Sequence, residues 1–397
     1  MKKTNLKKLL YLLQLEEYQT SRYFVWLKKN KIESLEERKN KLKFTSRIIL
    51  TIISSCLLSP LLGFKKAVGV ANSILAHVFL FLGKIIIFLA KIKLKFFPNL
   101  IKIVITGSYG KTTFKEMLAW VLEEKYLVLK TPGNINTQLG IAWFLLKKLN
   151  KKHQVLIVEA GAYQRGDIKQ IGNLIKPNYG IITIIGWMHL ERFGTIDSIR
   201  KTKFEIGDFI TPATNLFIKD KNNFFYPLKD HQFIDFEKTI LEIAKNLAIS
   251  SLKVKKRLKT FATPEYRLTI RNINKNLIIL EDVYNSNPLG FSRALKKLGG
   301  YRGYQKIVVT PGMIELGEKQ FSLNEKAAYD SAKTADILVI VGQTNKESLI
   351  KGAQKAGKKN LRIIIIDKND NFEEKIRSFL RPPTVILLEN DLPDHYF

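Results

Sequence analysis

Two textures divide the chain near Pro98. Before it, apolar positions fall in long unbroken runs; after it, short β-branched runs alternate with longer amphipathic segments. IKIVIT at 101–106, VLIVEA at 155–160 and YGIITII at 179–185 predict strands, and Lys111 to Glu124 predicts a helix. A second series begins near Thr263, with LIILED, KIVVT, ADILVIV, LRIIIID and TVILL as strands and helices over Gly290 to Leu298, Leu323 to Lys333 and Lys346 to Gly357. Such alternation predicts parallel α/β sheets whose ligands gather at the carboxyl ends of the strands. With a junction near Lys259 to Arg267, the expected organisation is 1–98, 99–262 and 263–397, the last a doubly wound domain.

The first hundred residues follow another rule. Leu6 to Lys29 mixes leucines and aromatics with lysines at helical spacing, which fits either an interfacial helix on anionic lipid or packing against the rest of the protein. Ile48 to Phe64 carries no charge, and Ala67 to Ala90 is interrupted only by His77 and Lys84. Spanning a bilayer takes roughly 17 to 25 apolar residues, so both runs qualify. The basic stretch from Met1 to Arg47 ahead of the first run argues against a cleaved signal peptide. Lys and Arg crowd Met1 to Arg47 and Lys91 to Lys102, whereas the connector holds only Lys65 and Lys66. That bias predicts a membrane hairpin with both ends, and the domains that follow, on the cytoplasmic face. The alternative is an amphipathic helical domain lying on the bilayer. Membrane lipid is a partner in either case.

A net charge of +31 predicts attraction to polyanions. The lysines scatter and most aromatics fall within apolar runs, so no nucleic-acid partner is expected. A single cysteine, Cys56, rules out an internal disulfide framework and a cysteine-based zinc site.

The chemistry centres on ITGSYGKTT at 105–113. The common P-loop has a glycine five positions before its Gly-Lys; here Ile105 stands there, and Gly107 lies only three before Gly110. Even so, Gly107, Ser108, Tyr109, Gly110, Lys111, Thr112 and Thr113 can wrap a polyphosphate with backbone N–H groups. Lys111 can neutralise its β and γ phosphates, and the Thr112 hydroxyl can hold Mg²⁺. Glu159 ends one strand and His189 follows another, so with Thr112 they form a candidate metal set.

These residues carry a family resemblance. ITGSYGKTT is similar to the signature of the Mur ligases, the ATP-dependent ligases of peptidoglycan peptide synthesis, and within them to the MurF type. The likeness continues through PGNINTQLG at 132–140, VEAGAYQRGDI at 158–168, MHLERFGTIDSIRKTKFEI at 188–206, YRL at 266–268, EDVYNSNP at 281–288 and MIELGE at 313–318. It implies a central ATP-binding domain and a C-terminal domain that together form an amide from a peptide carboxylate and an amine, such as D-alanyl-D-alanine, through an acyl phosphate. Lys111, His189 and Lys203 would be catalytic, with Lys203 matching the lysine that the family carbamylates and Lys201 its competitor. Arg267 and Asp282 would serve nucleotide phosphate and ribose, Asn285 and Asn287 the block over the base, and Asn134 and Asn136 the acceptor side. The implied cofactors are ATP and Mg²⁺, with a cell-wall precursor as substrate.

Three departures qualify the resemblance. The family's UDP-sugar-binding first domain is replaced by the basic helix and apolar hairpin, which leaves two expectations open: a substrate presented at the membrane in lipid-linked form, or an acceptor other than the standard nucleotide precursor. The segment between Glu205 and the helix near Phe236 is short, so the central domain is trimmed. Pro311 and Gly312 stand where glycine and aspartate are usual, and LLENDLP at 387–393 replaces a Lys-Gly-Ser, which leaves the amine open. Two other readings remain: a non-catalytic ATP-binding membrane scaffold, and a related ligase with a different acid acceptor.

Overall fold

The computed structural model describes residues 3–35, 41–133, 135–212, 215–218, 234–261, 268–283, 286–367, 370, 372–392 and 396. It divides into two compact units, Met1–Ile85 with Leu392–Phe397, and Ile86–Asp391.

In the first unit, the pattern over Leu6 to Lys29 resolves into two helices, Lys3–Leu15 and Thr20–Lys29, not one. Glu17 and Tyr18 take left-handed backbone conformations (φ 53° and 61°), which a continuing right-handed helix cannot accommodate. Leu9, Leu12, Leu13 and Tyr23 form a buried core with Ile48 and Val68. Helix Ser46–Lys95 is interrupted at Gly63, where φ 69° and ψ 152° leave the helical region. Arg47 Nη2 donates to Asn72 Oδ1 at 2.8 Å across a sequence separation of 25. In a straight helix that separation spans about 37 Å. The chain therefore folds back at Gly63, before the Lys65–Lys66 connector expected from the sequence. The outer faces stay apolar, with Leu57 76%, Leu61 85% and Phe81 64% exposed. By length and composition this helix, whose most apolar 18-residue window has a mean hydropathy of 2.3, could cross a membrane.

The second unit contains two sheets. The first comprises β1 (Ile101–Thr106), β2 (Val128–Lys130), β3 (Val155–Glu159), β4 (Tyr179–Ile182) and β5 (Leu216–Ile218), all parallel in the order β2-β3-β1-β4-β5. Successive side chains alternate across it. Ile103 and Ile105 pack with Phe114 and Leu118 of helix Lys111–Leu122 and with Ile240 and Ile243 of helix Ile234–Asn246. Val104 faces the other way, onto helices Gln138–Lys148 and Asp167–Ile175 and the last turns of Ser46–Lys95 through Ala90 and Leu94.

The second sheet comprises β6 (Thr269–Asn274), β7 (Leu277–Asp282), β8 (Gln305–Thr310), β9 (Ile337–Val341), β10 (Arg362–Ile366) and β11 (Thr384–Glu389) in the order β10-β9-β8-β11-β7-β6. Only β6 runs antiparallel to its neighbour, and its irregular register at Asn272/Asn274 marks a polar edge. At the opposite edge β10 is a run of isoleucines, of which Ile364 and Ile366 pack with Ile376 of helix Phe372–Ile376 and with Phe379. Both sheets match the α/β class expected from the alternating pattern. Strands β2, β5 and β6 are additions that the pattern did not single out. Helix Pro288–Gly299 starts earlier than Gly290 because the Asn287 side chain accepts from Gly290 N at 3.0 Å and Pro288 fits the first turn.

Candidate active site

The glycine-rich loop leaves the carboxyl end of central strand β1. Gly107 has φ 141°, and a Cβ there would fall 2.0 Å from Thr183 Oγ1, so only glycine fits. Ser108 N and Tyr109 N both donate to Ile184 O, at 2.8 and 3.1 Å. The Ser108 hydroxyl donates to Gly186 O, and the Tyr109 ring lies where a Cβ on Gly186 would sit. Ser108 and Tyr109, expected among the nucleotide-binding residues, thus tie the loop to the segment after β4. Lys111 Nζ donates to Gly107 O and Ser108 O at 2.8 and 3.1 Å, holding its ammonium within the loop. Thr113 follows Thr112 in the first turn of the helix, whose N-terminus favours an anion.

Glu159 closes β3 beside this loop and is 3% exposed. The Thr112 hydroxyl donates to Glu159 Oε2 at 2.9 Å, and Lys115 Nζ donates to the same oxygen at 3.2 Å. Lys115, fully buried, also pairs with Glu116 at 3.5 Å. Sequence reading did not single out Lys115, and only the buried carboxylate it meets reveals it.

His189 follows the segment after β4 and takes a left-handed backbone (φ 61°). Its Nδ1 lies 2.5 Å from Glu315 Oε2, and Glu315, on the loop after β8, is itself left-handed (φ 61°). Arg192 Nη2 is 3.6 Å from Glu315 Oε1. The Tyr163 ring meets the His189 ring edge-on at 5.0 Å and lies 4.3 Å beneath the Arg192 guanidinium carbon. Burial pushes the His189 pKa below its ordinary value; Glu315 opposes that, and Lys111 and Lys203 add to it. Glu315 was missed by sequence reading, although it lies inside the MIELGE block.

Lys203, on helix Ile196–Phe204, is 3% exposed, whereas Lys201 is exposed, so burial separates the two competitors. Burial, reinforced by Lys111, pushes the Lys203 pKa down to about 7, against the pull of Asp167 and Glu205. Those carboxylates are held by backbone amides: Asp167 accepts from Tyr163 N at 2.8 Å, and Glu205 from Gly166 N at 2.8 Å. Lys111 acts electrostatically on both His189 and Lys203, and Lys203 on His189.

The remaining candidates separate. Asn134, Arg267 and Asn285 lie outside the described residues. Asn136 abuts β3's exit, its carbonyl accepting from Gly161 N at 2.8 Å. The Asn287 side chain serves as a helix cap. Asp282 is register partner to Glu389 of β11 and helps burial raise the Glu389 pKa well above the carboxylate range. Glu389 accepts from the Ser286 hydroxyl through Oε1, while its buried Oε2 has no hydrogen-bond partner among the described residues.

Among the described residues no group of three or more His, Cys, Asp and Glu forms a metal cage. Magnesium commonly takes one or two protein oxygens and completes its shell with water and substrate phosphates. Thr112 and Glu159 beside a phosphate-type loop fit that habit; a protein-only cage would not.

The profile described as "Mur ligase middle domain" matches residues 105–285. Those residues belong to the Mur ligase family. Similar relatives are the UDP-N-acetylmuramoyl-tripeptide–D-alanyl-D-alanine ligases of Haemophilus influenzae, 26% identical over 63% of this chain and 65% of that one, and of Treponema pallidum, 40% identical over 33% and 28%. This chain thus spans less than two thirds of either relative's length. Among solved structures, MurF from Acinetobacter baumannii aligns with a TM-score of 0.65 at 23% identity, over 77% of this chain and 76% of that one. A MurF ligase from Thermotoga maritima in complex with ADP gives 0.63 at 21%, over 78% and 80%. These likenesses establish a Mur ligase fold of MurF type for the two-sheet unit.

Proposed function

We propose that this chain is a MurF-type, ATP-dependent amide ligase acting on a cell-wall precursor at the cytoplasmic face of a membrane. One observation supports the reading: the Lys111 loop and the Thr112–Glu159 pair stand at the carboxyl ends of β1 and β3 within residues matched by a Mur ligase middle domain, and the charge of Lys111 reaches both His189 and buried Lys203. In this reading ATP transfers its γ-phosphoryl to a peptide carboxylate, an amine attacks the acyl phosphate, and phosphate leaves as the amide forms. Lys111 and the helix N-terminus bind the polyphosphate. Thr112, Glu159 and His189 would hold Mg²⁺, which supplies charge neutralisation when bound. The Lys203 amine, with its pKa near 7, is partly neutral at physiological pH. That form adds CO₂ and releases a proton, giving a carbamate whose negative charge suits a metal site where an ammonium does not.

The membrane part rests on the exposed apolar faces around Leu57, Leu61 and Phe81, which exceed what a water-facing helix leaves uncovered. Basic residues at Met1 to Arg47 and Lys91 to Lys102 favour anionic headgroups on the cytoplasmic side. A lipid-linked acceptor follows from that placement.

The test is ADP release by detergent-purified protein with Mg²⁺, ATP, D-alanyl-D-alanine and either UDP-muramoyl tripeptide or its lipid-linked counterpart, with products weighed by mass spectrometry. An amide product with turnover dependent on both substrates is expected, favouring the lipid-linked acceptor. ATP binding with turnover indifferent to acceptor and amine would overturn the ligase reading.

A further inference from the structure

Glu315 and His189 belong to different sheets, 126 residues apart in sequence, yet their side chains meet at 2.5 Å. Both are non-glycine residues in the left-handed region, a conformation that persists only where the surroundings enforce it. The backbone around them is fitted as closely. Glu191 N donates to Glu315 O at 3.4 Å, and a Cβ on Gly317 would fall 3.2 Å from Glu191 N. Arg192 engages the second Glu315 oxygen, and Tyr163 packs against both His189 and Arg192. Two strained positions on separate loops, converging on one short contact, mark an arrangement selected for more than packing.

A carboxylate only accepts hydrogen bonds, so Nδ1 must carry the proton in this contact. In a neutral imidazole that leaves Nε2 as the bare nitrogen. An isolated imidazole side chain favours the opposite tautomer, with Nε2 protonated. Resting on the assignment of His189 as a metal ligand made above, we propose that Glu315 is a positioning residue. It fixes the His189 tautomer that offers Nε2 to the Mg²⁺–nucleotide complex, and it does so from the second sheet. The ligand atom is then available only when the two sheets are engaged, which ties metal capture to their contact. A carboxylate that orients a metal-binding imidazole through its other nitrogen is a recurrent device, and its loss costs about 10- to 100-fold in metal affinity or activity.

Two readouts on the full-length protein test this. Histidine-selective ¹⁵N labelling, without nucleotide, reports the tautomer of His189, assigned by the signal lost in His189→Gln. The wild type should show Nδ1–H. Glu315→Gln, whose amide oxygen still accepts, should retain it, and Glu315→Leu should shift it toward Nε2–H. Mn²⁺ binding in the presence of ADP, read by electron paramagnetic resonance, should weaken about 10- to 100-fold in Glu315→Leu and much less in Glu315→Gln. An Nε2–H wild type, or an unchanged tautomer in Glu315→Leu, would overturn the positioning role whatever the enzyme's substrate. A shifted tautomer with unchanged Mn²⁺ binding would overturn the proposal by removing His189 from the metal, and would leave the ligase reading to the product assay.

Discussion

Thr112 donates its hydroxyl to Glu159 at 2.9 Å, joining the first turn of the helix after the glycine-rich loop to the end of the neighbouring strand. The same carboxylate oxygen neutralises buried Lys115. Glu159 thus has a structural partner and a chemical assignment at once. Glu159→Leu should lower stability by about 3 kcal/mol, because it removes the shorter of the two carboxylate contacts of a buried ammonium and leaves the 3.5 Å pair with Glu116. Adding Lys115→Met should recover most of that loss while turnover stays absent. Denaturant melts of the two single variants and the double variant check the pattern; simple additivity would mean the two side chains are not coupled.

Lys111→Ala should abolish ATP turnover while the protein still folds, because it removes the ammonium that the Gly107 and Ser108 carbonyls hold in the loop. Circular dichroism and an ADP-release assay on the same preparation separate the two effects, and unchanged turnover would remove Lys111 from the site.

Lys203 gives a pH signature. Its folded pKa of about 7 lies below the ordinary lysine value, so the unfolded chain binds more protons at higher pH and stability rises as pH increases from 7 towards 10. Lys203→Met should be more stable than wild type at pH 7, by about 1–4 kcal/mol. The advantage should shrink as pH rises, and turnover should be lost. Melting temperatures across that range, under CO₂-free buffer, measure it.

Glu389 has the opposite sign. Burial and Asp282 raise its folded pKa, so the folded state binds the extra proton, and stability falls as pH rises above the ordinary carboxylate pKa. Glu389→Gln should stabilise the protein at neutral pH by about 1–3 kcal/mol and make little difference near pH 4. A destabilised Gln variant at pH 7 would mean that the ionised carboxylate is wanted there.

The anchor is tested by deletion, and the structure moves the cut. Removing Met1 to Phe97 would strip Ala90 and Leu94 from a buried core and lose the Lys93 bond to Leu145 O. Ending the deletion at Ile85 spares them. The shortened protein should leave the membrane fraction and remain folded; retention in membranes would refute the anchor.

Much of this was legible from sequence, and the parts that were not share a cause. Strands such as β1 and β3 are buried on both faces and read as unbroken β-branched runs, and the loop glycines are forced by local geometry at Gly107. β2 and β5 are three residues each, too short for a pattern, and β6 is polar because it lies at an edge. Lys115 and Glu315 look like surface charges until a distant segment supplies their partner. Lys203 was reached through resemblance; its burial, which distinguishes it from Lys201, is a tertiary fact that spacing does not encode.

The two borders of the second sheet carry unequal hazards. At β6, Arg271, Asn272 and Asn274 make the open backbone a poor template for another chain. At β10 the border is a run of four isoleucines, and Ile365 is already 45% exposed. On one face of the sheet Ile364 and Ile366 pack with a strap formed by Ile376 and Phe379, over which Arg362 lies at 4.2 Å. Cleavage or mutation that frees that strap would leave a folded sheet with a sticky hem, and the first symptom would be strand-to-strand aggregation rather than lost chemistry.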